Sequence, residues 1–239
     1  MMIKNKILIP GIITSLNLFS GSIATVLALN GEIKFAVVLV VIATVFDFLD
    51  GFVARLLDAV SEFGKQLDSL SDLVSFGMAP AALLYRLAGD HQLYNDYFGL
   101  FVFILPVFSA IRLAKFNTDQ NQKTEFKGLP TPASALFIIS IVWYCSSGSN
   151  IITTVLLNQY VFAGIITFIC LMMVSNIKLF SLKISSTSSG YFWQILFLVL
   201  STLLLITFKI FGLSLVIILY LALSLLRNLI SRKTKNIER

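Results

Sequence analysis

The chain has 239 residues, of which 57% are apolar and only 13% are charged, and its mean hydropathy is +0.91. Soluble domains carry about a quarter charged residues, so this composition argues against a soluble enzyme, a disordered protein and a nucleic-acid-binding protein, and favours an integral membrane protein. The net charge of +6 needs no nucleic-acid partner, because a basic surplus in a membrane protein usually marks its cytoplasmic loops.

Eight apolar runs are long enough to be membrane-spanning helices, which need about 20 residues each. Backbone groups in lipid must be hydrogen-bonded within the protein, and apolar runs of this length suit helices. The runs therefore predict an all-α, polytopic membrane helix bundle that forms one domain over residues 1–239. The last two runs are separated only by FKIFG, so a re-entrant pair is the alternative to two full spans there. The runs cover residues 8–29, 34–57, 65–88, 95–116, 131–147, 151–173, 191–208 and 210–230.

The first run follows the basic segment MMIKNK, as the apolar part of a signal peptide does. It is long, and no small-residue cleavage site follows it, so we expect a retained first helix. With the N-terminus in the cytoplasm and eight spans, 15 of the 18 lysines and arginines fall on the cytoplasmic side, and only Lys34, Arg86 and Lys209 fall outside. The positive-inside rule therefore predicts a multi-pass protein of the cell (inner) membrane with both termini cytoplasmic.

Four carboxylates lie in apolar surroundings in the second and third runs. Burying one ionised carboxylate in a bilayer costs at least about 2.5 kcal/mol, so four together require protonation or bound cations. The spacing is i,i+3 in the first pair and i,i+4 in the second, which places each pair on one helix face. A short turn near residues 58–64 makes the two helices antiparallel, so all four carboxylates can converge just below the cytoplasmic surface. They are Asp47, Asp50, Asp68 and Asp72.

Four oxygen ligands without histidine or cysteine suit a hard divalent cation such as Mg²⁺ or Mn²⁺. The excess negative charge favours two ions. Gly51 and Ala54 lie one turn beyond the first pair and Gly64 opens the second helix, so a ligand can approach the backbone closely. Arg55 stands beside the carboxylates and can contact a phosphate. Together these features indicate a diphosphate site.

The motif Asp47-x-x-Asp50-Gly51-x-x-Ala54-Arg55, eight residues, Gly64, three residues, Asp68, three residues, Asp72 resembles the signature of the CDP-alcohol phosphotransferase family at all eight fixed positions. The segments LDSLSDLVSFGMAPA (67–81), IRLAKFN (111–117) and FKGLPTPASA (126–135) resemble the membrane-embedded bacterial phosphatidylserine synthases, a branch of that family; Lys115 replaces their more usual arginine. The resemblance extends through most of residues 8–183, the expected catalytic core, and leaves 191–239 as C-terminal helices and a basic tail.

The resemblance implies an enzyme that transfers the phosphatidyl group of CDP-diacylglycerol to the hydroxyl of L-serine, giving phosphatidylserine and CMP. It implies that Asp47, Asp50 and Asp68 bind the metal, and that Asp72 also reaches the metal and is the candidate general base. Gly51, Ala54 and Arg55, with Gly64, would form the CDP pocket. The family also implies a homodimer, and its substrates imply contact with membrane lipids.

Five further assignments remain open at this stage. Thr14 and Asn17, in the first helix, contact either the nucleotide, as polar residues there often do in the family, or a neighbouring helix. Arg112 is a natural partner for the serine carboxylate, with Asn117 and Lys127 as further serine-binding candidates. The basic residues among them also fit a topology signal.

Three other functions compete with this hypothesis. The nearest is the same chemistry with another acceptor, glycerol 3-phosphate or myo-inositol. An ion or proton transporter is the second, because intramembrane carboxylates also mark ion pathways, but a transporter should distribute polar groups across the bilayer, often in two related halves. A non-catalytic scaffold is the third, and it would have no reason to keep four apposed carboxylates.

Overall fold

The computed structural model describes residues 2–91, 99–119, 128–148, 150–177 and 188–237. Every regular element in these ranges is helical, which confirms the all-α prediction. We number the helices in chain order. They are α1 (Met2–Leu29), α2 (Ile33–Leu56), α3 (Glu62–Asp90), α4 (Gly99–Thr118), α5 (Thr131–Ser146), α6 (Ile151–Leu156), α7 (Gln159–Val174), α8 (Ser188–Phe208) and α9 (Gly212–Ile237).

Within the described ranges, five helical stretches are long and apolar enough to cross a membrane, and α5 and α7 are shorter apolar helices of 16 residues each. Apolar helices thus occupy all eight predicted runs, and the multi-pass membrane bundle is confirmed. The five long stretches are Leu8–Leu29, Ile33–Leu56, Glu62–Asp90, Gly99–Thr118 and Trp193–Arg227.

The fifth stretch is a helical hairpin. A 3₁₀ turn at Lys209–Phe211 interrupts it, and Lys209 adopts a φ of +51°. The chain then folds back, so that the rings of Phe197 in α8 and Tyr220 in α9 lie 5.6 Å apart between centroids. This reversal explains why the short FKIFG stretch can separate two apolar helices.

Two differences from the predicted helix bounds are explained by side-chain caps. The sixth run is broken at Leu157 and Asn158, where the Asn158 side chain accepts a hydrogen bond from the backbone N–H of Tyr160 at 3.1 Å and caps α7. The third run begins three residues earlier than predicted, because the Ser61 hydroxyl accepts a hydrogen bond from the N–H of Gly64 at 3.0 Å and caps α3. Such caps satisfy backbone donors that the first helical turn leaves unpaired.

Helix α3 packs against α1, α2, α4 and α5. Its middle segment, Leu73–Met78, is π-helical, and Ser75, Phe76 and Gly77 are buried there. A Cβ on Gly21 of α1 would lie 2.6 Å from the Cα of Ser75, so α1 and α3 approach each other closely. A Cβ on Gly77 would lie 3.2 Å from the Cα of Pro106, which makes the contact with α4 almost as tight.

Helix α1 closes the space between α2 and the first part of α3. It packs along α2 and also against Glu62–Asp72, whereas α2 meets α3 mainly from the π-helical segment onward. The Ser71 hydroxyl donates to the Thr14 carbonyl at 3.2 Å, and the Ser75 hydroxyl donates to the Asn17 carbonyl at 3.0 Å. Helix α2 and the first part of α3 are therefore separated from each other, and α1 packs against both.

The turn between α2 and α3 uses a left-handed residue. Asp58 adopts a φ of +54°, and the N–H of Ala59 donates to the Ala54 carbonyl at 2.9 Å. Aspartate tolerates this conformation better than most side chains do. The turn reverses the chain directly after the first carboxylate pair and so brings the second pair back towards it.

The close approach of α1 to α3 predicts a stability effect at Gly21. Gly21→Ala should destabilise the fold, since the new methyl group meets the Ser75 backbone and overpacking typically costs about 1–3 kcal/mol. Gly11→Ala in the same helix is the matched control, because no heavy atom lies within 4 Å of its Cβ position. Thermal unfolding of the detergent-purified protein should show a lower Tm for Gly21→Ala alone; equal Tm values for both variants would contradict this packing.

Candidate active site

Three of the four intramembrane carboxylates form a compact cluster. Asp47 and Asp50 of α2 and Asp68 of α3 each offer an oxygen, and these oxygens all lie within 4.8 Å of one another. The Asp72 side chain lies beside that of Asp47. The structure thus brings together all four aspartates that the sequence singled out.

The oxygens of this cluster include buried atoms that the protein leaves unpaired. Asp50 Oδ2, Asp68 Oδ1 and Asp72 Oδ1 are each shielded from solvent and accept no hydrogen bond. Buried polar atoms in native proteins nearly always have a partner, because an unpaired one costs free energy. A hard divalent cation supplies that partner for carboxylate oxygens, so the residues present fit Mg²⁺ or Mn²⁺.

Asn17 of α1 is a further polar residue whose side chain is buried without a hydrogen-bond partner. Its side chain is 0% exposed, and neither Nδ2 nor Oδ1 has a hydrogen-bond partner. The hydroxyl of Thr14 donates to the Pro10 carbonyl at 3.0 Å and lies beside Asp50. The hydrogen bonds that join α1 to α3 are donated by Ser71 and Ser75 to backbone carbonyls. The amide of Asn17 therefore remains available to a ligand.

The small residues of the motif leave different amounts of space. A Cβ on Gly51 would meet only Arg55 Nη1, at 3.9 Å, so the α2 face there is open. Arg55 itself is exposed in the last turn of α2, and Ala54 is half-buried. A Cβ on Gly64 would lie 3.1 Å from the Ser61 hydroxyl. Gly64 thus has a local role in the α3 cap besides any role towards a ligand.

The three serine-binding candidates have different surroundings. Arg112 of α4 is only 9% exposed, interacts electrostatically with Asp72 and Asp47, and stacks its guanidinium 5.3 Å from the centroid of the Phe116 ring. The amide of Asn117 donates to the Ser69 hydroxyl at 2.8 Å and so ties α4 to α3. Lys127 lies outside the described residues.

Sequence reasoning missed three residues that shape this site. Ser71 and Ser75 secure α1 against α3, and Phe116 lies under the Arg112 guanidinium. The serines could have been found from their spacing, because each lies three residues beyond a motif aspartate and hence on the same side of the helix. Phe116 lies four residues beyond Arg112, so the predicted helix over residues 95–116 could also have paired these two side chains.

Comparison with known proteins identifies the same region. A family model described as CDP-alcohol phosphatidyltransferase matches residues 7–172. The chain is 34% identical over 180 residues to the CDP-diacylglycerol–serine O-phosphatidyltransferase of Helicobacter pylori, covering 72% of this chain and 71% of that protein. It is 36% identical over 177 residues to the enzyme of that name from Methanocaldococcus jannaschii, covering 74% and 75%.

A further relative is named for a different lipid product. The chain is 37% identical over 140 residues to the archaetidylserine synthase of Methanothermobacter thermautotrophicus. That match covers 58% of this chain and 59% of the relative, so the chain spans less than two thirds of its length.

The unpaired carboxylates predict a metal-dependent change in stability. Mn²⁺ should raise the Tm of the purified protein, because a ligand that binds only the folded state adds about 2.7 kcal/mol at 100 times its Kd. Asp50→Asn should abolish this rise, and it should raise the Tm without metal since it removes one charge from a repelling cluster. The control is Asp90→Asn, whose carboxylate pairs with Arg86 at 2.8 Å at the other end of α3; an equal Mn²⁺ response in both variants would exclude the cluster as the binding site.

Proposed function

Because the chain belongs to the CDP-alcohol phosphatidyltransferase family, we propose that it transfers the phosphatidyl group of CDP-diacylglycerol to L-serine. The serine oxygen forms a bond to the phosphorus that bears diacylglycerol, the bond from that phosphorus to CMP breaks, and the products are phosphatidylserine and CMP. The observation that carries this proposal is the convergence of four intramembrane carboxylates with unpaired buried oxygens.

The names of the relatives support serine as the acceptor. Two of them are serine O-phosphatidyltransferases that use CDP-diacylglycerol, and the third makes archaetidylserine. Their names differ in the lipid but share serine. Glycerol 3-phosphate and inositol remain the alternative acceptors within the same chemistry, and an ion or proton transporter is the remote alternative.

Asp47, Asp50 and Asp68 would hold the divalent cations, Mg²⁺ or Mn²⁺, with Asp72 contributing from the next turn of α3. Two ions per site would balance the charge of the four carboxylates. When bound, these cations stabilise the negative charge of the diphosphate and of the leaving CMP. The carboxylates would fix the position of these cations relative to α2 and α3.

The CDP pocket would lie over the open face of α2. Gly51 and Ala54 give the nucleotide room, Gly64 keeps the start of α3 narrow, and Arg55 lies on the exposed side, where a guanidinium can pair with phosphate oxygens. Thr14 and Asn17 would line the pocket from α1. The amide of Asn17 offers both a donor and acceptors to a polar ligand.

Asp72 would accept the proton of the serine hydroxyl during attack. Its Oδ1 atom is buried and accepts no hydrogen bond from the protein, so it could accept a proton from a hydroxyl bound within hydrogen-bond reach. Arg112 lies close enough to Asp72 to interact with it electrostatically. A serine carboxylate held by Arg112 would therefore place the hydroxyl on the side of Asp72. Asn117 and Lys127 stay further candidates for binding serine.

The remaining parts of the proposal concern orientation and assembly. The distribution of lysine and arginine supports cytoplasmic termini and a cytoplasmic active site, which is where soluble serine and the CDP headgroup would meet the enzyme. The lipid would enter sideways from the bilayer. The family resemblance also supports assembly as a homodimer.

The reaction is tested first by CMP release from CDP-diacylglycerol with Mg²⁺ or Mn²⁺, in the presence and absence of L-serine. We expect serine-dependent release, and Asp72→Asn should lower it by about 10²–10⁴-fold, the usual contribution of a general base. The matched control is Asp58→Asn, which changes an exposed carboxylate in the α2–α3 turn to another residue that tolerates its φ of +54°.

The outcomes of this assay separate the competing functions. CMP release with glycerol 3-phosphate or inositol but not with L-serine would overturn the acceptor assignment and keep the family chemistry. If folded protein releases no CMP with any acceptor, the transfer reaction is excluded, and ion flux in proteoliposomes becomes the next measurement. Full activity of Asp72→Asn would show that Asp72 is not the general base.

Substitution of Arg112 should affect the KM values of the two substrates differently. Arg112→Gln should raise the KM for L-serine at least about tenfold, because a charge-assisted pair with a carboxylate is among the stronger hydrogen-bonded contacts. The KM for CDP-diacylglycerol should change much less. Arg86→Gln, at the opposite end of α3, is the control; equal effects of Arg112→Gln on both KM values would indicate that Arg112 acts on the site as a whole and does not bind serine.

A further inference from the structure

We propose that Thr131 is a positioning residue whose hydroxyl holds the Arg112 guanidinium in the direction that receives the serine carboxylate. This inference rests on the proposed function, since it concerns the acceptor end of that site. Thr131 is the first residue of α5 and Arg112 belongs to α4, so the contact joins two helices.

The contact is buried and carries a charge. Arg112 Nη1 donates to Thr131 Oγ1 at 3.4 Å, with Thr131 0% exposed and Arg112 9% exposed. The Phe116 ring limits the guanidinium on one face, and the carboxylates of Asp47 and Asp72 attract it. An arginine has many rotamers, and ordering a long side chain costs entropy. A fixed acceptor on α5 reduces that cost at the moment of substrate binding.

Three hydrogen bonds hold the backbone around Thr131 in place. The N–H of Gly128 donates to the Ile177 carbonyl and the N–H of Leu129 donates to the Met172 carbonyl, both at 3.0 Å, so the loop before α5 is fastened to the end of α7. Gly128 has a φ of +73°, and a Cβ there would lie 2.5 Å from the Met173 carbonyl oxygen. The Ser134 hydroxyl donates to the Thr131 carbonyl at 2.8 Å.

The backbone that carries the Thr131 hydroxyl is fixed by the α7 contacts, so a hydroxyl at this position lies within reach of the Arg112 guanidinium. The carboxylates of Asp47 and Asp72 alone would draw Arg112 towards themselves. The Thr131 contact opposes that pull from the α5 side and keeps part of the guanidinium directed at the space where the acceptor binds.

The experiment compares three variants of the full-length protein by steady-state kinetics with CDP-diacylglycerol and Mn²⁺. Thr131→Val keeps the shape and removes the oxygen, Thr131→Ser restores it, and Thr153→Val makes the same change at a threonine that is 2% exposed near the start of α6. We expect Thr131→Val to raise the KM for L-serine about tenfold, the scale of one hydrogen bond to a charged group. Its kcat and its KM for CDP-diacylglycerol should stay within about twofold of wild type, as should all constants of Thr131→Ser and Thr153→Val.

A second readout isolates the carboxylate. L-serinamide keeps the hydroxyl and amino groups of serine but lacks the carboxylate charge, so the preference for L-serine over L-serinamide in kcat/KM should fall in Thr131→Val and persist in Thr153→Val. In an Arg112→Gln background, Thr131→Val should add little, because two residues that act through one contact are not additive.

The inference and the proposed function fail differently. If wild-type protein does not use L-serine, the acceptor assignment is overturned, and the role of Thr131 with it. If the wild-type protein uses L-serine, and Thr131→Val has the same KM for L-serine and the same preference over L-serinamide, only the positioning role of Thr131 is overturned. A loss of kcat and of affinity for both substrates in Thr131→Val, without rescue by Thr131→Ser, would show a structural role instead.

Discussion

The structure depends on the cost of placing four carboxylates inside an apolar helix bundle. Asp47, Asp50, Asp68 and Asp72 repel one another, and three of their buried oxygens have no hydrogen-bond partner in the protein. In a bilayer such carboxylates need protonation or a compensating cation. The bundle is therefore arranged to keep the carboxylates together, so that one set of cations can neutralise all of them.

The surrounding helices meet this requirement by close backbone packing. Gly21 and Gly77 let α1 and α4 approach the middle of α3, and Ser71 and Ser75 use their hydroxyls to join α3 to α1. Small residues are the usual means of holding helices together in lipid, where the hydrophobic effect gives no preference for helix–helix contact. The π-helical segment begins directly after Asp72, and such segments are frequent at functional sites because they change the direction of the side chains that follow.

Much of this arrangement could be predicted from the sequence, because it follows from two strong local patterns. Hydropathy located the eight apolar runs, and the i,i+3 and i,i+4 spacings located the carboxylates on two facing helices. The break at Asn158, the π-helical segment and the early start of α3 at Ser61 could not be predicted, since each depends on side-chain hydrogen bonds or on packing against another helix. For the same reason, no pattern linked Arg112 to Thr131, which is 19 residues away and in a different helix.

The balance of buried charge also bears on the choice of acceptor. Among the described residues, Arg112 is the only basic side chain that is buried, and it already faces Asp47 and Asp72. A zwitterion such as serine brings one carboxylate for this arginine and an ammonium group that the neighbouring aspartates can tolerate, so the net charge of the site does not change.

Glycerol 3-phosphate would bring close to two negative charges into a site already rich in carboxylates, and a phosphate generally requires more than one cationic partner. Inositol would bring no charge and would leave Arg112 without a substrate group to pair with. The electrostatics of the described residues thus favour an acceptor that carries a single carboxylate and a compensating positive charge.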